Sequence, residues 1–276
     1  MEAPKFKLTG FADEISPDLE TQVSTLARLG LSGLDLRSVN GVNVLDLTTE
    51  DIERVNEVCH QHGIVVQCIG SPVNKIQYDV MLQAREHERL RKAIHAANLT
   101  NCKRIRLFTP EVPADQHDAM ASTIIGWMAD QRRLAEEYGV TLIHENDGHY
   151  WGAYPANAKR LFEELGNERF RACFDFANTV LIGYKPLDDW FPWLLPYLDT
   201  IHIKDAKDGK VVAPGEGDGQ MVETMKWVIE QGWDGPLTME PHLSAAGPYG
   251  GFSGADLFEV AVTSFRKVMT AAGGVA

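Results

Sequence analysis

The 276-residue chain carries a formal net charge of -13 at pH 7 and is 44% hydrophobic, enough for one large core in the size range of single-domain α/β barrels. No run of Lys or Arg exceeds two residues and no apolar stretch reaches membrane-spanning length, so the composition argues against DNA, RNA and the bilayer as partners. With no export signal in MEAPKFKLTGF and four scattered cysteines (Cys59, Cys68, Cys102, Cys173) that form no CxxC pair, the expectation is a soluble, cytoplasmic protein with buried reduced thiols.

In chain order, KLTGF (Lys7 to Phe11) reads as a short first strand. A helix follows over Pro17 to Leu29, with an apolar stripe at Leu19, Val23, Leu26 and Leu29 and Ser16 as its cap, ended by Gly30. Gly33 to Arg37 is the second strand, and Thr49 to His62 the second helix, started by Thr48 or Thr49 and closed by Gly63. Further strands fall at Ile64 to Ile69, Arg104 to Phe108, Thr141 to Glu145, Arg171 to Asp175, Thr200 to Lys204 and Pro236 to Glu240. Between and after them, helices are predicted near Val80 to Ala97, Asp118 to Tyr138, Asn157 to Leu165, Leu187 to Leu195, Met221 to Gln231 and Ala255 to Met269. Eight strands alternating with eight helices, and no linker rich in Pro, Gly or Ser, point to one (β/α)8 TIM barrel over residues 1–276 rather than an open doubly wound sheet. The glycine-rich APGEGDGQ (Ala213 to Gln220) follows the seventh strand, and Gln220 stands where a dinucleotide fingerprint needs its third glycine. It reads as a mobile loop over the barrel mouth.

In a parallel barrel the C-terminal strand ends converge on one mouth, where chemistry is placed. The fifth strand ends at Glu145, the sixth at Asp175, the seventh carries His202 and Lys204 on one side, and the eighth ends at Glu240. Taken singly, such an acid is commonly a helix cap or ion-pair partner, and a lone histidine a hydrogen-bonded core residue. Four successive strands ending this way are harder to explain structurally. Three converging carboxylates repel one another unless a cation lets all three stay ionised. Three oxygen donors and one imidazole suit Mn²⁺ first, with Mg²⁺, Co²⁺ or Zn²⁺ as alternatives, and no cysteine is at hand for a structural zinc site.

HEN at Glu145, FDFAN at Asp175, IHIKD at His202 followed by PGEGDG, and MEP at Glu240 resemble the xylose isomerase-like TIM-barrel superfamily, in particular its sugar (phosphate) isomerase/epimerase branch with the ketose 3-epimerases. GFADEIS, DLR and IGSPVNKI are similar to a subgroup of that branch. The resemblance implies a divalent metal held by Glu145, Asp175, His202 and Glu240, with Glu145 and Glu240 as a catalytic acid/base pair. It also implies a ketose or keto-sugar substrate turned over through a metal-stabilised enediolate: one glutamate removes the proton and the other returns it. Return to the opposite face gives an epimer, and return to the adjacent carbon gives an isomer. A metal-dependent lyase, decarboxylase or glycoside-cleaving enzyme acting on an oxidised sugar is the alternative for the same site. The branch often has a histidine three residues beyond the sixth-strand aspartate, where this chain has Asn178, and the third and fourth strand ends lack the histidines of trinuclear repair nucleases.

Candidate substrate-binding residues are Asn146, His149, Asn178, Lys204, Arg37 and Phe108. Arg106 is a further anion-binding candidate, although interior arginines also balance buried carboxylates; Phe11, Phe176, Trp151 and Tyr154 are candidate pocket walls, and His242 a weaker candidate. Loops at Asn40 to Val44, Ser71 to Asp79 and Ser244 to Gly254 would set specificity, and the glycine-rich Gly247 to Gly254 reads as either a lid segment or a connection into the last helix. The acidic balance favours a free or oxidised sugar over a phosphate ester. Trp190, Phe191 and Trp193 are candidates for either core or a homo-oligomer interface.

Overall fold

Eight parallel strands close into one barrel in the computed structural model, which describes residues 4–244, 246–247, 250–251 and 253–276. They are β1 (Leu8–Gly10), β2 (Gly33–Leu36), β3 (Val65–Ile69), β4 (Arg104–Leu107), β5 (Thr141–Glu145), β6 (Phe170–Asp175), β7 (Leu198–Ile203) and β8 (Leu237–Met239). Each pairs with its neighbours in sequence, and β8 returns to β1 through Leu8↔Leu237 and Gly10↔Met239. Alternation along the strands sends Leu34, Leu36, Ile105, Leu107, Ile201, Ile203, Leu237 and Met239 outward into the main apolar core beneath the helices. The inward positions are unusually polar. Thr9, Asp35, Arg106, Glu145, Asp175, His202 and Thr238 are all buried, and the apolar filling of the interior is a small separate cluster of Cys68, Ile143 and Cys173. All four cysteines are free and buried.

The outer layer comprises α1 (Leu19–Arg28), α2 (Thr49–Gln61), α3 (Gln83–Leu99), α4 (His117–Tyr138), α5 (Pro155–Leu165), α6 (Phe176–Leu181), α7 (Phe191–Leu194), α8 (Met221–Glu230) and α9 (Gly254–Ala272). At the start of α2, Thr48 and Asp51 form a reciprocal capping box, Thr48 N–H donating to Asp51 at 2.9 Å and Asp51 N–H to Thr48 at 3.1 Å. The cap of α1 is Asp18, which accepts from Thr21 N–H at 2.8 Å, and not Ser16, which lies two residues too early to reach the helix. The expected helix over Leu187 to Leu195 is broken into a π turn (Pro186–Trp190), α7 and a 3-10 turn (Leu195–Tyr197), because Pro186, Pro192 and Pro196 interrupt a regular ladder. Trp190 and Phe191 lie in the core. No helix among the described residues is long and apolar enough to cross a membrane.

The segment expected to be a mobile loop, Ala213 to Gln220, is tied to one side chain. The Asp205 carboxylate, at the end of β7, accepts backbone N–H groups from Gly215 at 2.9 Å, Gly217 at 3.0 Å and Gly219 at 3.1 Å, besides Ala206 at 2.9 Å. A Cβ at Gly217 would collide with this carboxylate, which explains the glycine. Of the segment Gly247 to Gly254, Pro248, Tyr249 and Phe252 lie outside the described residues, and so does that much of the expected lid.

Two predictions follow from these packing features. Asp205→Ala leaves four backbone donors without their acceptor, so unfolding free energy drops by about 2–4 kcal/mol and the amides of 215–219 lose exchange protection; unchanged protection would show that the loop is held by other contacts. His144, an outward β5 residue packed edge-on against Phe162, has its pKa pushed by burial down to about 4. The unfolded chain takes up that proton near pH 6.5 and the native state does not, so stability falls as pH drops from about 6.5 to about 4, by up to about 3 kcal/mol. Chemical denaturation across this range tests it: His144→Leu flattens the slope, and a slope identical to the unsubstituted protein's contradicts it.

Candidate active site

The barrel register brings four side chains from consecutive strands together. Glu145 closes β5, and Asp175 on β6 sits opposite His202 on β7. His202 in turn sits opposite Thr238 on β8, two residues before Glu240. One ligand-capable atom from each of Glu145, Asp175, His202 and Glu240 lies within 4.8 Å of the others, and all four residues are buried. Asp175 also serves locally as the N-cap of α6, its Oδ1 accepting from Asn178 N–H at 2.8 Å, which leaves Oδ2 turned into the cluster. The cap and the cluster use different oxygens of one carboxylate.

Charge at the mouth is compensated by Arg106, Arg37 and Lys204. Arg106 donates to Glu145 Oε2 at 3.0 Å and lies 3.6 Å from Glu240 Oε1. Arg37 donates to Glu240 Oε1 at 2.8 Å and forks onto Asp13 at 2.7 and 3.0 Å. Lys204 stands 3.0 Å from Asp175 Oδ2. The Phe11 ring lies under both guanidinium groups, 4.8 Å from each, and edge-on to His202. Burial alone would raise the Glu145 and Glu240 pKa values; His202 and Arg106 around Glu145, and Lys204, His202 and His242 around Glu240, outweigh it and hold both carboxyls below the usual range. For Asp175 burial wins over Lys204, and its pKa is raised.

These cations mean that three carboxylates at the mouth do not by themselves require a metal. Counting the neighbouring Asp13 and Glu14, however, five carboxylates face the three permanent cations Arg37, Arg106 and Lys204, short by the charge of one divalent ion or two imidazolium rings. A second observation is more specific. Asp175 Oδ2, His202 Nδ1 and Glu240 Oε2 belong to three of the four clustered side chains, are fully buried and have no partner in good hydrogen-bond geometry, their near contacts being ionic: Nδ1 lies 3.1 Å from Oε2, and Lys204 3.0 Å from Oδ2. The set of carboxylate oxygens and one imidazole nitrogen fits a divalent ion, which would take the place of the proton that Cys173 and Glu145 otherwise favour on His202 against its burial.

The remaining sequence candidates divide between the site and its supports. Asn178 donates from Nδ2 to Glu145 Oε1 at 3.3 Å, so it orients this glutamate. Asn146 does not face a substrate: its amide donates to Asp175 O at 3.0 Å and Thr179 Oγ1 at 2.9 Å and accepts from Asp175 N–H at 2.7 Å, fastening β5 to β6. His149 is exposed on the following turn, where Gly148 has φ +50°. Phe108 is fully buried beneath Lys75 and Arg106. Lys204 and Arg37 take the ion-pair role, although Arg37 also lines a cavity of about 590 Å³ that opens beside the cluster. Trp151 and Phe176 are core residues. Sequence reasoning missed Asp13 and Glu14, which sit in a 3-10 turn after β1 inside the GFADEIS stretch. Glu14 is buried, accepts from His242 N–H at 2.9 Å and Ser253 Oγ at 2.7 Å, and lies 3.1 Å from His242 Nε2. The only sequence signal was an acidic pair directly after a strand.

Known proteins agree with this architecture. A 2-epi-5-epi-valiolone 7-phosphate 2-epimerase from Actinoplanes sp. is 36% identical over 92 residues, 32% of this chain and 30% of that protein, so the match spans about a third of the relative's length. D-psicose 3-epimerase from Clostridium cellulolyticum H10, solved with D-tagatose, superposes with a TM-score of 0.74 at 12% identity over 96% of this chain and 99% of its own. A xylose isomerase-like TIM barrel protein from Mycobacterium smegmatis, solved in complex with magnesium, gives 0.69 at 14% identity over 98% and 97%. At such identities the two structures speak for the fold alone. The family model for the xylose isomerase-like TIM barrel matches residues 23–260, and with strands, closure and mouth arranged as described, the chain belongs to that family.

Proposed function

We propose that this protein is a divalent-metal-dependent epimerase or isomerase of a ketose or keto-sugar, with Glu145 and Glu240 as its acid/base pair. The observation that carries the reading is the convergence of Glu145, Asp175, His202 and Glu240, all buried, with one ligand-capable atom from each within 4.8 Å of the others. The epimerase from Actinoplanes, matched over about a third of its length, supports the reaction class.

Glu145, Asp175, His202 and Glu240 would hold the ion, Mn²⁺ first and Mg²⁺ next. When bound, it supplies Lewis-acid polarisation of a substrate carbonyl and neighbouring hydroxyl, lowering the pKa of the C–H between them. Both carboxyls are held below the usual carboxylate range, so the free site offers an ionised glutamate that takes that proton. A carboxylate held this acidic is a weak base, which is why the C–H must be acidified first. Arg106 fixes Glu145 Oε2 and Asn178 fixes Oε1, while Arg37 fixes Glu240 Oε1, so each carboxylate enters the reaction in one orientation. The second glutamate, protonated from solvent in the substrate complex, donates that proton to the opposite face, inverting the carbon, or to the adjacent carbon, moving the carbonyl.

Ketoses incubated with enzyme and Mn²⁺ in D₂O test the proposal. One deuterium enters the inverted or adjacent carbon without bond cleavage, chelator abolishes the exchange, and Glu145→Gln and Glu240→Gln each lower turnover by about 10³-fold or more. Near-normal turnover by either variant would overturn the two-carboxylate mechanism, and loss of water, carbon dioxide or an aglycone would replace it with elimination, decarboxylation or glycoside cleavage.

A further inference from the structure

We infer that the barrel mouth holds a subsite for an anion, so that the substrate carries a phosphate ester or carboxylate at the end remote from its carbonyl. The inference rests on the sugar reading above and specifies its substrate class.

The cavity of about 590 Å³ is large enough for a six-carbon sugar with such a terminus. Its inner end is marked by Arg37 and Arg106, whose guanidinium groups hold Glu240 and Glu145. Its outer wall presents Arg85, Arg89 and Lys92 of α3. Their spacing of four and then three residues puts all three on one helical face, where like charges repel and cost helix stability. A negative partner must face them, and the protein supplies only part of it. Buried Glu86 accepts from Arg85 Nε at 3.2 Å and Nη2 at 3.1 Å and from Arg89 Nη1 at 3.0 Å, so one carboxylate serves two guanidinium groups. Lys92 meets Asp46 at 3.5 Å with both side chains more than half exposed, a pair of little strength.

The other cations of the cavity are already engaged. Arg37 is shared between Asp13 and Glu240, Arg106 belongs to Glu145, and Lys75 is 2.5 Å from Asp147. The surplus positive charge is therefore concentrated on the α3 face, on side chains more exposed than the buried Arg37 and Arg106 that hold the glutamates. In a chain with net charge -13 this basic wall is a local exception that would draw an anionic terminus to the outer end and leave the carbonyl end at the acid/base pair. Of the substrates that overall charge favours, free or oxidised sugars, a basic wall suits the oxidised ones, and it admits the phosphate esters that overall charge disfavours. A carboxylate and a phosphate ester would use the same donors, and Arg85, with over half of its side chain exposed, is free to turn donors toward either.

Isothermal titration calorimetry with D-fructose, D-fructose 6-phosphate and D-fructuronate reads this without turnover. One of the two anionic sugars is expected to bind at least tenfold more tightly than D-fructose; the 6-phosphate identifies a phosphate ester and the uronate a carboxylate. Lys92→Gln, an exposed substitution that leaves the fold intact, and Arg85→Gln should each cut that ratio several-fold. If neither anion binds more tightly than D-fructose, or if the ratio survives both substitutions, the α3 stripe exists only to neutralise Glu86 and the inference is overturned. Anion preference without deuterium exchange into any sugar would leave the subsite standing and remove the epimerase reading.

Discussion

Carboxylates gathered in a low-dielectric space must be matched by positive charge, and most of the architecture at this barrel mouth serves that requirement. Glu145, Asp175 and Glu240 end neighbouring strands, and each has its own cation: Arg106 from β4, Lys204 following β7, and Arg37 following β2. The arginines are in turn backed by the Phe11 ring and by Asp13. Because the pairing runs across the barrel, the charged cluster links strands on opposite sides of the mouth, and removing one partner would leave a buried charge uncompensated, which typically costs about 3–5 kcal/mol. Beyond these permanent cations the cluster is short by two charges, which a divalent cation, or protons on His202 and His242, would supply.

The two halves of the barrel divide the work. Strands β5 to β8 carry the acids and the histidine, and their supports are local: Asp175 caps α6, Asn146 ties β5 to β6, Asn178 reaches Glu145, and Asp205 fastens the glycine-rich loop that follows β7. Strands β2 to β4 and helix α3 shape the cavity and bring its arginines and lysines. On the proposed reading, reaction chemistry and substrate selection fall largely on separate elements, as expected of a scaffold whose strand-end loops vary independently around a fixed barrel.

Much of this was legible in the sequence because it depends on period. Two-residue alternation marked the strands, glycines and caps marked the turns, and the four strand ends exposed Glu145, Asp175, His202 and Glu240 as a set. What escaped were contacts with no period. Arg37 and Glu240 are 203 residues apart and meet only because the barrel closes; with that pairing unseen, the argument from repelling carboxylates overstated the need for a metal. Asn146, beside Glu145, looked like a sugar ligand, but alternation turns it toward α6. The short α6 was hidden because it starts without a loop, at Asp175 itself, and the segment after it alternates helix types around three prolines. Overall charge has no period either: an average of -13 says nothing about the sign of one wall.

Diffraction at the manganese absorption edge from crystals grown with Mn²⁺ addresses the central claim most directly. The account predicts one strong anomalous peak in contact with Glu145, Asp175, His202 and Glu240. A peak bound elsewhere, or the four side chains joined only by water and their arginine and lysine partners, would contradict it.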